Sequence, residues 1–237
     1  MQFDVIFQPD TLALFARGIG TTLELLVLSL GFGMLLALPL SILRSSDKAW
    51  LSRPVWLFTF AIRGTPLLVQ VYLIYYGVAQ LPWIQARWDE VWPWTWFKGP
   101  LFCTLVAFVI NTTAYTIEIL SGAIRATPPG EIESGRSVGM SEAMLYRRIL
   151  LPSALRRALP AYSNEVILML QATSVASVVP SLIDITGAAG SVYSTYYLPF
   201  EAFLTAGAIY LVLTLVLVAL FRLAEKRWLS YLGARSV

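Results

Sequence analysis

Residues 21–43 read TTLELLVLSLGFGMLLALPLSIL, an almost uninterrupted apolar run whose single charge is Glu24 and whose only helix-unfriendly positions are Gly31, Gly33 and Pro39. A helix advances about 1.5 Å per residue, so about 20 such residues cross a hydrocarbon layer roughly 30 Å thick. Glycine and proline are tolerated in membrane helices because neighbouring helices satisfy the freed backbone groups. The stretch is therefore read as one unbroken crossing. Working outward, four more stretches have the same character: 55–81, 101–124, 164–183 and 200–222. The expected fold class is all-α, a polytopic membrane helical bundle, with residues 1–237 forming a single transmembrane domain. A composition of 57% hydrophobic and 13% charged residues, with mean hydropathy +0.70, excludes an ordinary water-facing surface. Residues 1–18 carry Asp4 and Asp10, no basic start and no long apolar core, so the first span is expected to be retained rather than cleaved as a secretory signal.

Lysine and arginine collect in cytoplasmic loops. Arg44, Lys48, Arg53, Arg125, Arg136, Arg147, Arg148, Arg156, Arg157, Arg222, Lys226, Arg227 and Arg235 fall on one side of the five spans. Only Arg17, Arg87 and Lys98 fall on the other, and Arg63 lies within the second span. This asymmetry predicts an N-terminus outside and a C-terminus inside. The outer segment 82–100 holds Trp83, Trp88, Trp92, Trp94 and Trp96, whose indoles suit the headgroup zone or an extracytoplasmic partner. The pI near 9.1 points to anionic headgroups of the lipid bilayer rather than to nucleic acid, because the basic residues flank apolar spans. With no histidine and only Cys103, neither a metal centre nor an internal disulfide can be assembled.

The inner segment 125–163 is patterned. Thr127, Pro128, Pro129, Gly130 and Glu131 form a turn suited to a helix start, and 131–138 reads as a short helix broken by Gly139. Ser141 is a plausible N-cap for a second short helix through Ile149, with Pro152 beyond its end. Glu133-Ser134-Gly135, then Gly139, then Ile149, Leu151 and Pro152 stand at the spacing Glu-Ala-Ala, three residues, Gly, nine residues, Ile-x-Leu-Pro. This resembles the EAA loop of the permease subunits of bacterial ABC importers, with serine and glycine in place of the two alanines.

The resemblance covers nearly the whole chain. Arg63-Gly64-Thr65-Pro66, residues 161–170 (AYSNEVILML) and residues 224–229 (AEKRWL) are similar to the polar amino-acid group of that family, in particular to permeases of histidine, lysine, arginine and ornithine importers. The resemblance implies a type I ABC importer-like transmembrane domain with a cytoplasmic coupling helix in a bacterial inner membrane. It also implies a basic amino acid as cargo, a paralogous permease as partner, two ATP-binding subunits and an extracytoplasmic amino-acid-binding protein. Glu131, Glu133, Arg136, Gly139, Ile149, Leu151 and Pro152 would form the contact with the ATPase.

The chain is not expected to be an enzyme. A phosphate-binding loop needs Gly-Lys-Ser/Thr, and Lys48, Lys98 and Lys226 follow Asp47, Phe97 and Glu225. No cofactor is expected on this chain; ATP and Mg would belong to the partner ATPase.

Ionisable groups inside a membrane usually face a bundle interior or an aqueous path. Arg63, Glu118 and Glu165 lie well inside, and Arg63 could pair with one carboxylate and leave the other for a cationic substrate. Asn111, Tyr115 and Glu118 share one face of the third span, and Glu165 shares one with Thr173 in the fourth. These six residues either contact cargo or join helices as interhelical polar contacts. Glu24, Asp184 and Glu201 lie near span ends and are expected to meet water or headgroups. An ion-coupled secondary transporter or channel, or an assembly subunit without cargo, are the other classes these features allow, though no internal repeat favours the first.

Overall fold

A computed structural model describes residues 2–90, 92 and 94–228. Among them the chain is helical throughout, with no strand. The long elements are α1 (Pro9–Ser45), α2 (Ala49–Arg63), α5 (Pro100–Arg125), α8 (Leu151–Ala172), α9 (Ile185–Tyr196) and α10 (Pro199–Trp228). Shorter ones are α3 (Leu67–Tyr72), α4 (Pro82–Gln85), α6 (Pro129–Ser137) and α7 (Glu142–Leu145). Proline opens α1, α4, α5, α6 and α10, where its fixed φ is already helical and its missing N–H would have no partner.

α1, α5 and α10 are each long and apolar enough to cross a membrane. α1 runs unbroken through Gly31, Gly33 and Pro39. The 55–81 stretch, read above as one span, is not one helix: α2 ends at Arg63 and the chain resumes helically over Leu67–Gln80, bent by 99°. The cause is local. Pro66 disfavours helical geometry at Thr65 and has no N–H to donate, so the ladder must stop there. The fourth stretch also differs from expectation. α8 starts at Leu151, thirteen residues before 164, and gives way at Ala172 to a tight 3₁₀ turn over Thr173–Val178.

Three apolar clusters hold the bundle. The central one joins Leu25, Leu26, Val71, Phe108, Leu170 and Val179. A second packs Phe15 of α1 against Ile185, Ala189 and Ala202 of α9 and α10, and the third gathers Ala37, Val55, Ile117 and Ala158. α1 packs tightly on α5 at Gly33, where a Cβ would stand 2.5 Å from Thr112 Cγ2. Conversely, Val27, Leu35, Leu57, Phe60, Leu211, Leu215 and Leu223 are exposed, an apolar exterior fit for lipid or another apolar subunit.

Two acidic residues expected near water are buried instead. Asp184 is 0% exposed because it caps α9, accepting from the backbone N–H of Thr186 and Gly187 and from Tyr210 Oη–H at 3.2 Å. Glu201 is buried and accepts from the Gln2 backbone N–H at 2.8 Å. Glu24 does remain exposed.

Segment 125–163 forms two short helices meeting at Gly139, whose φ of +78° is the left-handed conformation that glycine adopts without steric cost. Ser141 caps α7, its hydroxyl accepting from Met144 N–H at 3.4 Å. The second helix does not stop at Ile149. A π-helical turn over Tyr146–Leu150 joins α7 to α8, so Pro152 sits within a continuous helical run rather than after its end.

Candidate functional site

The break between α2 and α3 opens a cavity of about 450 Å³ lined by Arg63, Pro66, Asn111, Tyr115, Glu165 and Met169, among others. Four of the six residues expected at a cargo site thus meet in one place. Arg63 closes α2, Asn111 and Tyr115 stand one turn apart on α5, and Glu165 lies in the second half of α8. The Arg63 guanidinium sits 5.1 Å from the centre of the Tyr115 ring, a cation–π contact. Glu165 is 6% exposed and accepts from Thr112 Oγ1–H at 3.3 Å. Among the described residues no lysine or arginine nitrogen lies within salt-bridge distance of Glu165.

Glu118 and Thr173 are elsewhere. Glu118 does not pair with Arg63. Its Oε1 accepts from Arg44 Nε–H at 2.8 Å and from Thr59 Oγ1–H at 2.6 Å, joining α5 to α1 and α2. Arg44, read as a loop residue, lies in the last turn of α1, which carries its side chain back onto the bundle. Thr173 is fully buried, donates to Leu170 O at 2.6 Å and does not line the cavity.

One residue that sequence reasoning missed organises the site. Gln70 of α3 donates from Nε2 to Ile62 O at 2.8 Å, Thr65 O at 3.1 Å and Thr65 Oγ1 at 2.9 Å, and accepts from Asn111 Nδ2–H at 3.1 Å. It satisfies carbonyls freed by the helix break and ties them to α5. An amide four residues after Pro66, in a run otherwise apolar, was its only signal.

In segment 125–163, Glu131, Glu133, Arg136 and Gly139 are gathered in and after α6. Glu133 and Gly139 are exposed at the elbow, whereas Glu131 turns back to accept from Ser153 Oγ–H at 3.2 Å. Arg136 pairs with Glu142 across the turn at 3.0 Å. Ile149 reaches Gly135, where a Cβ would stand 2.8 Å from its Cδ1, and Leu151 and Pro152 are half-buried at the start of α8. Val138, 72% exposed at the tip, is an apolar knob the motif spacing did not single out. Arg235 and Leu229, counted among the cytoplasmic and tail features, lie outside the described residues.

A bundle with an apolar exterior and a polar, charge-bearing cavity at a broken helix has the build of a membrane permease. Residues 29–230 match the family described as binding-protein-dependent transport system inner membrane component, and the chain belongs to it, as an ABC importer permease of the polar amino-acid group. It is 47% identical over 221 residues to the histidine/lysine/arginine/ornithine transport system permease protein HisM of Escherichia coli (strain K12), covering 92% of this chain and 90% of that protein. It is 43% identical over 225 residues to the octopine transport system permease protein OccM of Rhizobium meliloti, covering 95% and 90%. Among solved structures, an amino acid ABC transporter crystallised with histidines superposes with TM-score 0.76 at 33% identity, covering 91% of this chain and 94% of that one. The MetNI methionine transporter shares the fold at TM-score 0.70 and 19% identity, covering 93% and 97%.

Proposed function

We propose that this permease carries a basic amino acid inward through the cavity at the α2–α3 break, with a paralogous permease completing the path. The observation that carries this reading is Glu165: a carboxylate enclosed in the bundle, beside a cavity, with no lysine or arginine nitrogen within salt-bridge distance among the described residues. An unpaired buried charge is costly, so a site that binds a cation recovers that cost when loaded. Glu165 meets the cationic head of the cargo, Asn111 adds a hydrogen bond, and Arg63, held on Tyr115, receives the cargo carboxylate. The names of HisM and OccM, one of which lists histidine, lysine, arginine and ornithine, support a basic cargo.

In this reading the chain crosses the membrane five times, as α1, the bent α2–α3 pair, α5, α8 and α10, with its N-terminus outside. The elbow around Gly139 docks into a separate ATPase. Two such ATP-binding subunits use ATP and Mg, and an extracytoplasmic binding protein delivers the cargo. Glu133, Arg136 and Val138 make the contact, while Glu131, Ile149, Leu151 and Pro152 brace the elbow against α8.

In proteoliposomes containing the assembled transporter, Glu165→Gln lowers ATP-dependent arginine uptake about tenfold or more, the size of one lost charge-assisted interaction. Full uptake by this variant, with folding verified, removes Glu165 from the site. Uptake by the chain alone on an ion gradient, with no nucleotide, would instead establish a secondary transporter.

A further inference from the structure

We infer that Gln70 fixes which atom of the Asn111 amide meets the cargo, so that the cavity presents oxygen there and selects an N–H-bearing cation over a neutral, carbonyl-tipped side chain. This rests on the reading of the cavity as the cargo site.

The argument is one of donors and acceptors. Gln70 has one amide oxygen, which only accepts, and one NH₂, which only donates. Ile62 O and Thr65 O, at 2.8 and 3.1 Å, are carbonyl oxygens and can only accept. Turning the Gln70 amide over would set oxygen against both of them, so the NH₂ must face the helix break. The Gln70 oxygen is thereby pointed at Asn111, and only the Asn111 NH₂ can answer it. The Asn111 Oδ1 has no partner among the described residues, and Asn111 lines the cavity. Gln70 itself does not line it. Two acceptors, Asn111 Oδ1 and the Glu165 carboxylate, therefore serve the same small space. A guanidinium donates to both from any of its faces and brings the charge that the Glu165 carboxylate lacks, whereas a neutral ureido can donate only from its N–H edge and opposes lone pair to lone pair when its carbonyl faces them. Gln70 acts through Asn111 and is a positioning residue for selectivity.

The test is equilibrium binding of radiolabelled arginine and of citrulline, its neutral isostere, to the purified transporter complex without its binding protein. Gln70→Leu frees the Asn111 amide to turn, and the arginine-to-citrulline affinity ratio falls about tenfold, as expected for one hydrogen bond to a charged group. Asn111→Leu removes the cavity-facing oxygen without setting a lone pair against the Gln70 oxygen, and it leaves the Gln70 bonds to Ile62 and Thr65 in place. It lowers the arginine-to-citrulline ratio as Gln70→Leu does, and it decides the matter alone if Gln70→Leu does not assemble. An unchanged ratio in either variant overturns the inference. Glu165→Gln separates the two levels. Arginine binding unaffected by that change sinks the cargo site and this inference together; arginine binding lost there, with the ratio in Gln70→Leu unmoved, sinks the inference alone.

Discussion

Gly139 has a positive φ and open space around it, so its role is conformational. An alanine there meets no neighbour but must adopt a left-handed backbone at a cost of about 1–2 kcal/mol. Gly139→Ala is therefore expected to leave the thermal stability of the bundle nearly unchanged while loosening the elbow, read as weaker co-purification of the ATPase and lower coupled uptake. Stability lost with coupling retained would contradict this. Gly18 and Gly135 have the opposite constraint, that of space. A Cβ at Gly18 would lie 2.7 Å from the backbone oxygen of Asp184, which cannot move without disturbing the α9 cap. At Gly135 it would meet the tips of Leu145 and Ile149, which can rotate. Gly18→Ala should lower the melting temperature, costing about 1–3 kcal/mol. Gly135→Ala should be near neutral, since a gain in helix propensity of up to about 1 kcal/mol offsets the repacking. Paired melting curves in detergent check the contrast. Two small residues at the motif's alanine positions were legible in the sequence; that one of them accommodates Leu145 and Ile149 was not.

At the scale of elements, Arg44 and Glu118 bind α1 to α5, with Thr59 drawing in α2 and Ser52 Oγ accepting from Arg44 Nη1 at 3.3 Å. Both charged side chains are mostly covered, 14% and 22% exposed. Removing one leaves the other poorly solvated, so Arg44→Met or Glu118→Gln alone should destabilise by about 1–3 kcal/mol, and the double replacement by less than the sum. A double-mutant cycle of melting temperatures measures the coupling; strict additivity would argue that the pair contributes nothing. This network also marks where sequence reading stops. The apolar runs 101–124 and 200–222 fall within α5 and α10, whereas α1 begins at Pro9, twelve residues before the run at 21. Hydropathy placed the start of α8 too late, since Leu151 to Ser163 carries Pro152, Ser153, Arg156, Arg157, Pro160 and Ser163 and reads as loop. The pairing of Arg44 with a residue 74 positions away depends on how α1 packs on α5, which no local pattern encodes. The 99° break was signalled by Gly64 and Pro66 but masked by the apolar residues on either side.

Over the whole molecule, the asymmetry of basic residues and the apolar exterior agree on a membrane setting, and orientation can be checked with thiol chemistry. Cys103 is fully buried, its Sγ–H donating to Phe97 O at 3.3 Å, so the native chain should resist aqueous maleimides. Phe7 and Val138 are exposed at opposite ends of the proposed topology. In intact cells, Phe7→Cys should react with an impermeant maleimide and Val138→Cys only after the membrane is opened. The reverse pattern would invert the topology and place the elbow on the wrong face for an ATPase. The four cavity residues drawn from α2, α5 and α8 were individually legible as polar positions in apolar runs. Their convergence required the bend between α2 and α3, and Glu118 is drawn off by Arg44 and Thr59.

The uninterrupted helical run from Glu142 through the π turn to Ala172 has a mechanical consequence. From Glu142 to Glu165 it spans about 35 Å at about 1.5 Å per residue, so tipping it by about 5° sweeps the far end through about 3 Å. That arc is the width of a hydrogen bond. In the proposed function, a push of a few ångströms at the elbow thus suffices to make or sever the Glu165 contact with a solute about 35 Å away, as a crank turns a latch.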